Sequence, residues 1–314
     1  MWASEERKMK AQEDINVPKA ATSRSFVLFQ IVVMLRVGHW VKNGFVFAPL
    51  VFSGHYSNMV DVISTICAFV VFSVTASAIY IFNDIVDKER DALSELAKHR
   101  PIAAGTVPIA AAVGIATILI ISALAWSFHI GYEFAVFVVL YIANNVGYSL
   151  LIKDKVIADV ISIAVGFVIR VLAGASLIEV EPSQWLIVCT FSLALLLGFG
   201  KRRAELFHAR GIKLVNTIYT AEKLDHMISV SAAITLLSYM LYVVSPESVH
   251  RFNGPLMLGT VPFVVYGIFR FVAKIQEGKC KDPVHLIYSD RVSVLNIMLW
   301  VLTVMTVLWR TYGL

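Results

Sequence analysis

The stretch NDIVDKERD, Asn83 to Asp91, concentrates oxygen ligands at one point of the chain. Asp84, Asp87 and Asp91 stand at i, i+3 and i+7, a spacing that a helix brings to one face. Asn83 adds an amide oxygen beside them. Carboxylates held that close repel unless a cation neutralises them. Hard oxygen ligands without His or Cys suit magnesium, which takes one or two carboxylates and completes its shell with substrate phosphates. The pattern predicts a magnesium site for a diphosphate, with Asn83, Asp84, Asp87 and Asp91 as ligands. The plain alternative is a solvated helix end whose acids pair with Lys88 and Arg90. Against it, three acids on one face at a membrane boundary are costly to hold without a ligand.

Further polar residues are candidates for the same chemistry. Lys98 and Arg100, followed by Pro101 and Ala103-Ala104-Gly105, read as a phosphate-facing basic loop or as membrane anchoring. In YSLLIKDKVIADV, Tyr148 and Lys153 precede Asp159. Lys153 is a phosphate ligand on this reading, and Asp159 a second metal ligand or hydrogen-bond acceptor; an ordinary interfacial pair is the other reading. Arg170 lies deep in an apolar run, where a permanent charge needs a partner or a polar cavity. It either meets a substrate's head group or buttresses the site. GFGKRRAEL places Lys201, Arg202 and Arg203 side by side, one point charge and two forks suited to a phosphate. Asp282-Pro283 and the SDR of Ser289–Arg291 add Asp290 and Arg291. WVKN adds Lys42 and Asn43, while its Trp40 is most simply an interface anchor.

These residues must be positioned by helices in lipid. Hydrophobic residues make up 58% of the 314-residue chain and charged ones 16%, with mean hydropathy +0.74. Soluble domains carry nearer a quarter charged. In lipid the backbone satisfies its own polar groups, which long apolar runs achieve as helices. Nine candidate spans run at about 36–53, 60–83, 107–127, 132–151, 157–178, 184–200, 226–245, 255–274 and 293–311. Phe26–Leu35 is an interfacial helix or part of the first span. The expected fold is all-α, about nine transmembrane helices around a central cavity opening to the cytoplasm. Residues 1–25 form a polar tail without a signal-peptide apolar core, and 26–314 a single membrane domain.

Placing the N-terminus inside puts all of the 27 Lys and Arg in the tail, the entry segment that follows it and the even-numbered loops, except Arg170, Arg251, Arg270 and Arg310. That distribution obeys the positive-inside rule. The net charge of +5 then calls for anionic lipid headgroups and no nucleic acid. The expected location is the cell (inner) membrane, with the active site cytoplasmic. Cys67, Cys189 and Cys280 are scattered, with no disulfide framework or zinc spacing, and the His residues do not cluster. A homo-oligomer is compatible with the sequence.

Taken together, the nine spans, the NDxxDxxxD motif, RPIAAG at Arg100–Gly105 and the Tyr148/Lys153 loop resemble the UbiA superfamily of intramembrane prenyltransferases over roughly residues 35–312. Typical aromatic prenyltransferases of that superfamily carry a second Asp-rich motif after span six, where this chain has Lys201-Arg202-Arg203. With WVKN, Asp159–Gly174 and Ser289–Arg291, that departure looks like the decaprenyl-phosphate phosphoribosyltransferase branch. The resemblance implies magnesium-dependent transfer of 5-phosphoribose from phosphoribosyl diphosphate to a polyprenyl phosphate, which in actinobacteria feeds cell-wall arabinan. Asp84, Asp87, Asp91 and Lys153 would then be catalytic, and Lys201, Arg202 and Arg203 would take the 5-phosphate. The family's Arg and His-Pro after the Asp motif are replaced here by ALSELA, Ala92–Ala97. Two other classes remain: a prenyltransferase using a prenyl diphosphate with an aromatic or haem-like acceptor, and a non-enzymatic transporter or scaffold. No internal repeat favours the transporter.

Overall fold

A computed structural model describes residues 24–94, 97–208, 219–278 and 289–312. Residues 1–23 of the tail, Glu95 and Leu96 of ALSELA, Arg210, Lys213 and Asp282-Pro283 lie outside the described residues. Among those described there is no strand. The elements are α1 (Arg24–Leu35), a 3-10 stretch (Val37–Phe47), α2 (Ala48–Ser53), α3 (Met59–Val86) and a short α4 (Lys88–Ala92). Then come α5 (Ile109–Ile130), α6 (Tyr132–Gly147), a π-helical turn (Tyr148–Ile152), α7 (Ala158–Leu177) and α8 (Gln184–His208). The chain continues with α9 (Ala221–Val244), α10 (Pro246–Arg251), α11 (Val261–Gln276) and α12 (Arg291–Tyr312).

Nine stretches among the described residues are helical, long and apolar enough to cross a bilayer. They match the nine expected spans, with shifts of a few residues at the ends. The first runs Phe29–Ser53, so the segment before Arg36 joins that span. It is not a continuous α-helix. Gly38 and Gly44 weaken helix propensity there, and the backbone tightens to 3-10 geometry from Val37 to Phe47. Short pieces are the norm for that geometry, and a long one inside a helix marks a special site. This one turns Asn43 into the core.

α3 and α7 are the most buried spans, and their sequences explain why. Ala68, Ala76 and Ala78 on α3, and Ala164, Gly166, Ala173 and Gly174 on α7, are small and buried, so neighbouring backbones come close. The hydroxyls of Thr65, Ser73, Thr75 and Ser77 donate to backbone carbonyls on or beside α3, which satisfies them where no water is available. Asn58 caps α3 by accepting from the Val60 N–H at 3.0 Å, and Asp61 complements the helix dipole in its first turn. Side chains such as Ile118, Ile121, Leu302, Met305 and Trp309 face outward, as a lipid-facing surface should.

Hydrogen bonds and ion pairs gather Arg36, the Asp motif at the end of α3, the turn after α6, the start of α7 and the end of α8 at one end of the bundle. A Cβ on Gly174 would sit 2.2 Å from the Val46 carbonyl oxygen, at the contact between α7 and the 3-10 stretch. Gly174→Ala is expected to destabilise by about 1–3 kcal/mol through overpacking and to lower the melting temperature of the purified protein in detergent. Gly114→Ala on α5, with nothing within 4 Å of the new carbon, should not lower it.

Candidate active site

α3 ends at Val86, and Asp87 stands at its C-cap with φ −95 and ψ 8. A new short helix then starts at Lys88. Across that break Asp84 and Asp91 still share Arg100, whereas Asp87 takes another partner. Asp84, only 2% exposed, accepts from Arg36 Nη2 at 2.5 Å and Arg100 Nη1 at 3.2 Å. Asp91 accepts from Arg100 Nη1 at 2.6 Å, so Arg100 bridges the two. Asp87 pairs with Lys153 Nζ. The Asn83 amide oxygen accepts from the Ser149 hydroxyl. The π-helical turn after α6 supplies the last two partners: its wider winding turns Ser149, and Lys153 behind it, toward the end of α3.

A cavity of about 240 Å³ opens beside these groups. Asn83, Asp84 and Asp87 line it, with Arg36, Lys42, Arg100, Arg170 and Lys201, and with Tyr80, Tyr141, Asn144, Asn145, Tyr148 and Ser162. Asp91 is not in its wall. No group of three or more acids, His or Cys forms a metal cluster among the described residues. The donor set facing the cavity is thus two carboxylates and one amide oxygen. That fits magnesium, which relies on one or two carboxylates and on substrate phosphates. Five cations against two carboxylates leave the wall positive, a field that attracts an anionic ligand.

Deeper in the bundle a polar chain crosses between helices. Arg170, on α7 and 5% exposed, donates from Nε to Asn43 Oδ1 at 2.8 Å, from Nη1 to the Gly166 carbonyl at 2.8 Å and from Nη2 to the Tyr141 hydroxyl at 2.7 Å. Asn43 Nδ2 donates to Ser73 Oγ at 3.1 Å. Asn43 therefore serves as a buttress of Arg170 and does not reach the cavity wall.

The KRR cluster divides. Lys201 lines the cavity. Arg202 turns away: Nε donates to Asp159 Oδ2 at 2.6 Å, Nη1 to Glu205 at 2.7 Å and Nη2 to the Tyr148 hydroxyl at 2.8 Å. Arg203 pairs with Asp225 at 2.9 Å. Asp159, 2% exposed, also accepts from the Tyr219 hydroxyl at 2.9 Å. Burial pushes the Tyr219 phenol up to about 12, so it stays protonated and able to donate. The same oxygen accepts the N–H of Ile157 at 2.6 Å. Ile157 has φ +68, a strained value for a β-branched residue, and this contact holds it at the start of α7. Asp159, Arg202 and Arg203 thus form a brace beneath the cavity, because each charge already has a short-range partner.

Asp290 caps α12 through Ser293 N–H at 3.0 Å and its hydroxyl at 2.6 Å, and takes a two-pronged bond from Arg270 at 2.6 and 2.8 Å. The Arg270 guanidinium, then Ser293, hold the Asp290 carboxyl well below the usual carboxylate range. Its stabilisation is therefore present above the ordinary carboxylate pKa and is lost only as pH falls toward the lowered one. Asp290, Arg291 and Lys98 do not line the cavity.

Several wall residues escaped the sequence reading. In sequence Arg36 is one of the positive-inside charges, and only the fold carries it to Asp84. Tyr80, 4.9 Å beneath the Arg36 guanidinium, had no signal. The Asn144-Asn145 pair did, since two amides inside an apolar span call for partners; Asn144 exchanges bonds with Ser162.

Arg202→Ala leaves the buried Asp159 carboxylate short of its guanidinium. Removing one partner of a buried pair costs about 3–5 kcal/mol, so a fall in melting temperature is expected, partly restored by adding Asp159→Asn. A variant of unchanged stability with selectively weakened substrate binding would return Arg202 to the substrate.

Comparison with known proteins agrees with this fold. The profile of the UbiA prenyltransferase family matches residues 44–289. The decaprenyl-phosphate phosphoribosyltransferase of Corynebacterium glutamicum is 32% identical over 280 residues, covering 86% of this chain and 84% of that protein. That of Mycobacterium tuberculosis is 30% identical, covering 87% and 92%. In fold, the chain is similar to a UbiA homolog from Archaeoglobus fulgidus solved with GPP and magnesium, at TM-score 0.67 and 15% identity, covering 89% of this chain and 99% of that one.

Proposed function

The chain belongs to the UbiA prenyltransferase family, and from that membership and the cavity's make-up we propose that it is a membrane phosphoribosyltransferase. It moves 5-phosphoribose from phosphoribosyl diphosphate to a decaprenyl-like polyprenyl phosphate, with magnesium, as a step toward a cell-wall glycan precursor. The observation that carries this reading is the asymmetry of the cavity: one acidic corner, Asn83, Asp84 and Asp87, in a wall whose other charged residues are all cations. A single acidic corner suits one metal-bound diphosphate. The remaining cations suit the further phosphates that a sugar phosphate donor and a lipid phosphate acceptor bring, and that a prenyl diphosphate with an aromatic acceptor lacks.

Asp84, Asp87 and Asn83 would hold the magnesium. The bound metal supplies Lewis-acid stabilisation of the leaving diphosphate and fixes its orientation. Arg36, Arg100 and Lys153, now paired with the two aspartates, stand where they can share the charge of the diphosphate. Lys201 and Lys42 face the cavity and are assigned to the donor's 5-phosphate. An ionised oxygen of the lipid phosphate attacks the anomeric carbon from the face opposite the diphosphate. The new C–O bond forms, the C–O bond to diphosphate breaks, and its electron pair leaves with the diphosphate. Because the attacking phosphate is already ionised, no protein nucleophile is required. Positioning and fixed charge account for the catalysis.

The positive-inside distribution supports a cytoplasmic position for the acidic corner and the N-terminus, in the cell membrane. This orientation gives the water-soluble donor direct access.

The deciding assay supplies membranes containing the protein with labelled phosphoribosyl diphosphate and decaprenyl phosphate, or with labelled prenyl diphosphate and an aromatic acid. Labelled lipid is expected in the first pairing, abolished by a chelator and restored by magnesium. Label in the second pairing alone would overturn the proposal. Asp84→Asn and Asp87→Asn are each expected to lower kcat by about 100-fold or more, the scale of losing a major electrostatic contact to the transition state. Asp91→Asn should act mainly through Arg100, with a smaller loss.

A further inference from the structure

Arg170 is a permanent charge held well inside the bundle, and among the described residues no acid pairs with it. It stands twelve residues after Ala158, about 18 Å along α7 at the helical rise, in a helix of 20 residues. Among the described residues its hydrogen-bond partners are an amide oxygen, a backbone carbonyl and a phenol. The Tyr141 ring lies 4.5 Å and the Phe167 ring 5.2 Å from its guanidinium carbon. These contacts fix its orientation but bring no negative charge. A guanidinium has five N–H donors in a planar fork. Those three bonds leave one N–H on each terminal nitrogen, and Arg170 is in the wall of the polar cavity. A buried, oriented and uncompensated fork suits a bidentate anion such as a phosphate.

The surroundings tell which phosphate. A second cavity, about 410 Å³, lies among α8, α9, α11 and α12 and has an almost wholly apolar wall. The two cavities meet at a thin partition: Leu197 lines both, and Phe167 of the polar cavity packs edge-on against Phe45 of the apolar one at 4.9 Å. The acidic corner is at the end of α3, with Arg36 and Arg100, while Arg170 stands beside this partition. A ligand reaching both chambers there has an anionic head and a hydrocarbon tail.

We infer that Arg170 is the binding residue for the phosphate of the lipid acceptor, with Asn43 and Tyr141 as its positioning residues and the apolar cavity receiving the first part of the lipid chain. This rests on the phosphoribosyltransferase reading for the identity of the acceptor. It places the attacking oxygen and the leaving diphosphate at different ends of one cavity, as attack opposite the leaving group requires.

The test uses the full chain in detergent and two probes, farnesyl phosphate and farnesol, which differ only in the phosphate. The wild type is expected to prefer the phosphate. In Arg170→Gln the preference should fall by about tenfold or more, the scale of a hydrogen bond to a charged group, while farnesol affinity stays within about twofold. Arg170→Lys should keep part of the preference. Binding of phosphoribosyl diphosphate with magnesium should change by less than about twofold in both variants. A phosphate preference that survives Arg170→Gln overturns the inference, as does loss of donor binding with lipid preference intact, which would hand Arg170 to the donor. Should Arg170→Gln fail to fold, Arg170→Lys decides: joint loss of farnesol and phosphate binding marks a purely structural role and overturns it. The probes need neither donor nor turnover, so failure of the phosphoribosyl assay and failure of this inference are separate results.

Discussion

Charge in a low-dielectric bundle has to be neutralised or pointed at a ligand, and this constraint organises the polar half of the molecule. Asp84 is buried, and Arg36 and Arg100 close over it. Asp159 is buried, and Arg202 and Tyr219 close over it. Those pairs draw together the first span, the loop before α5, the end of α8 and the segment before α9. All of these contacts but Arg100–Asp84 join residues more than 40 positions apart. The desolvation of each charge makes separation costly, so the polar end is held together by its acids as much as by apolar packing.

The same constraint sorts ligand-facing charges from structural ones. Arg202 and Arg203 are surrounded by carboxylates and a phenol, so they have little left to offer a substrate. Among the described residues Arg170 has only neutral partners, and it lines the cavity. Lys201 has one carboxylate neighbour, Glu205, at the longer distance of 3.7 Å and still reaches the cavity wall. Proximity in sequence says little about this division. Lys201, Arg202 and Arg203 lie on one helix about 100° apart per residue, so adjacent cations turn different ways even though Lys201 and Arg202 share Glu205.

Local backbone irregularities place the site. The 3-10 stretch carries Lys42 to the polar cavity and Asn43 to Arg170. Beyond the break at Asp87, Asp91 is out of the cavity wall, although Arg100 still ties it to Asp84. The π-helical turn points Ser149 and Lys153 at the end of α3. Regular α-helix at any of these three points would present different side chains, consistent with the tendency of such irregularities to gather at functional sites.

The amino-acid sequence by itself determined the membrane class, the nine spans and the acidic corner. Each of these follows from local composition: apolar runs of bilayer length, and carboxylates crowded within two helical turns. The family resemblance was also legible there, in NDxxDxxxD and the Tyr148/Lys153 loop. Only the tertiary structure decided which charges face a ligand. It brought Arg36 to Asp84 and Tyr219 to Asp159, left Asp91 outside the cavity wall, and turned two of the three adjacent cations at Lys201–Arg203 into a brace. The physical reason is that a charge's role depends on what neutralises it, and in this bundle the neutralising partner usually comes from another helix.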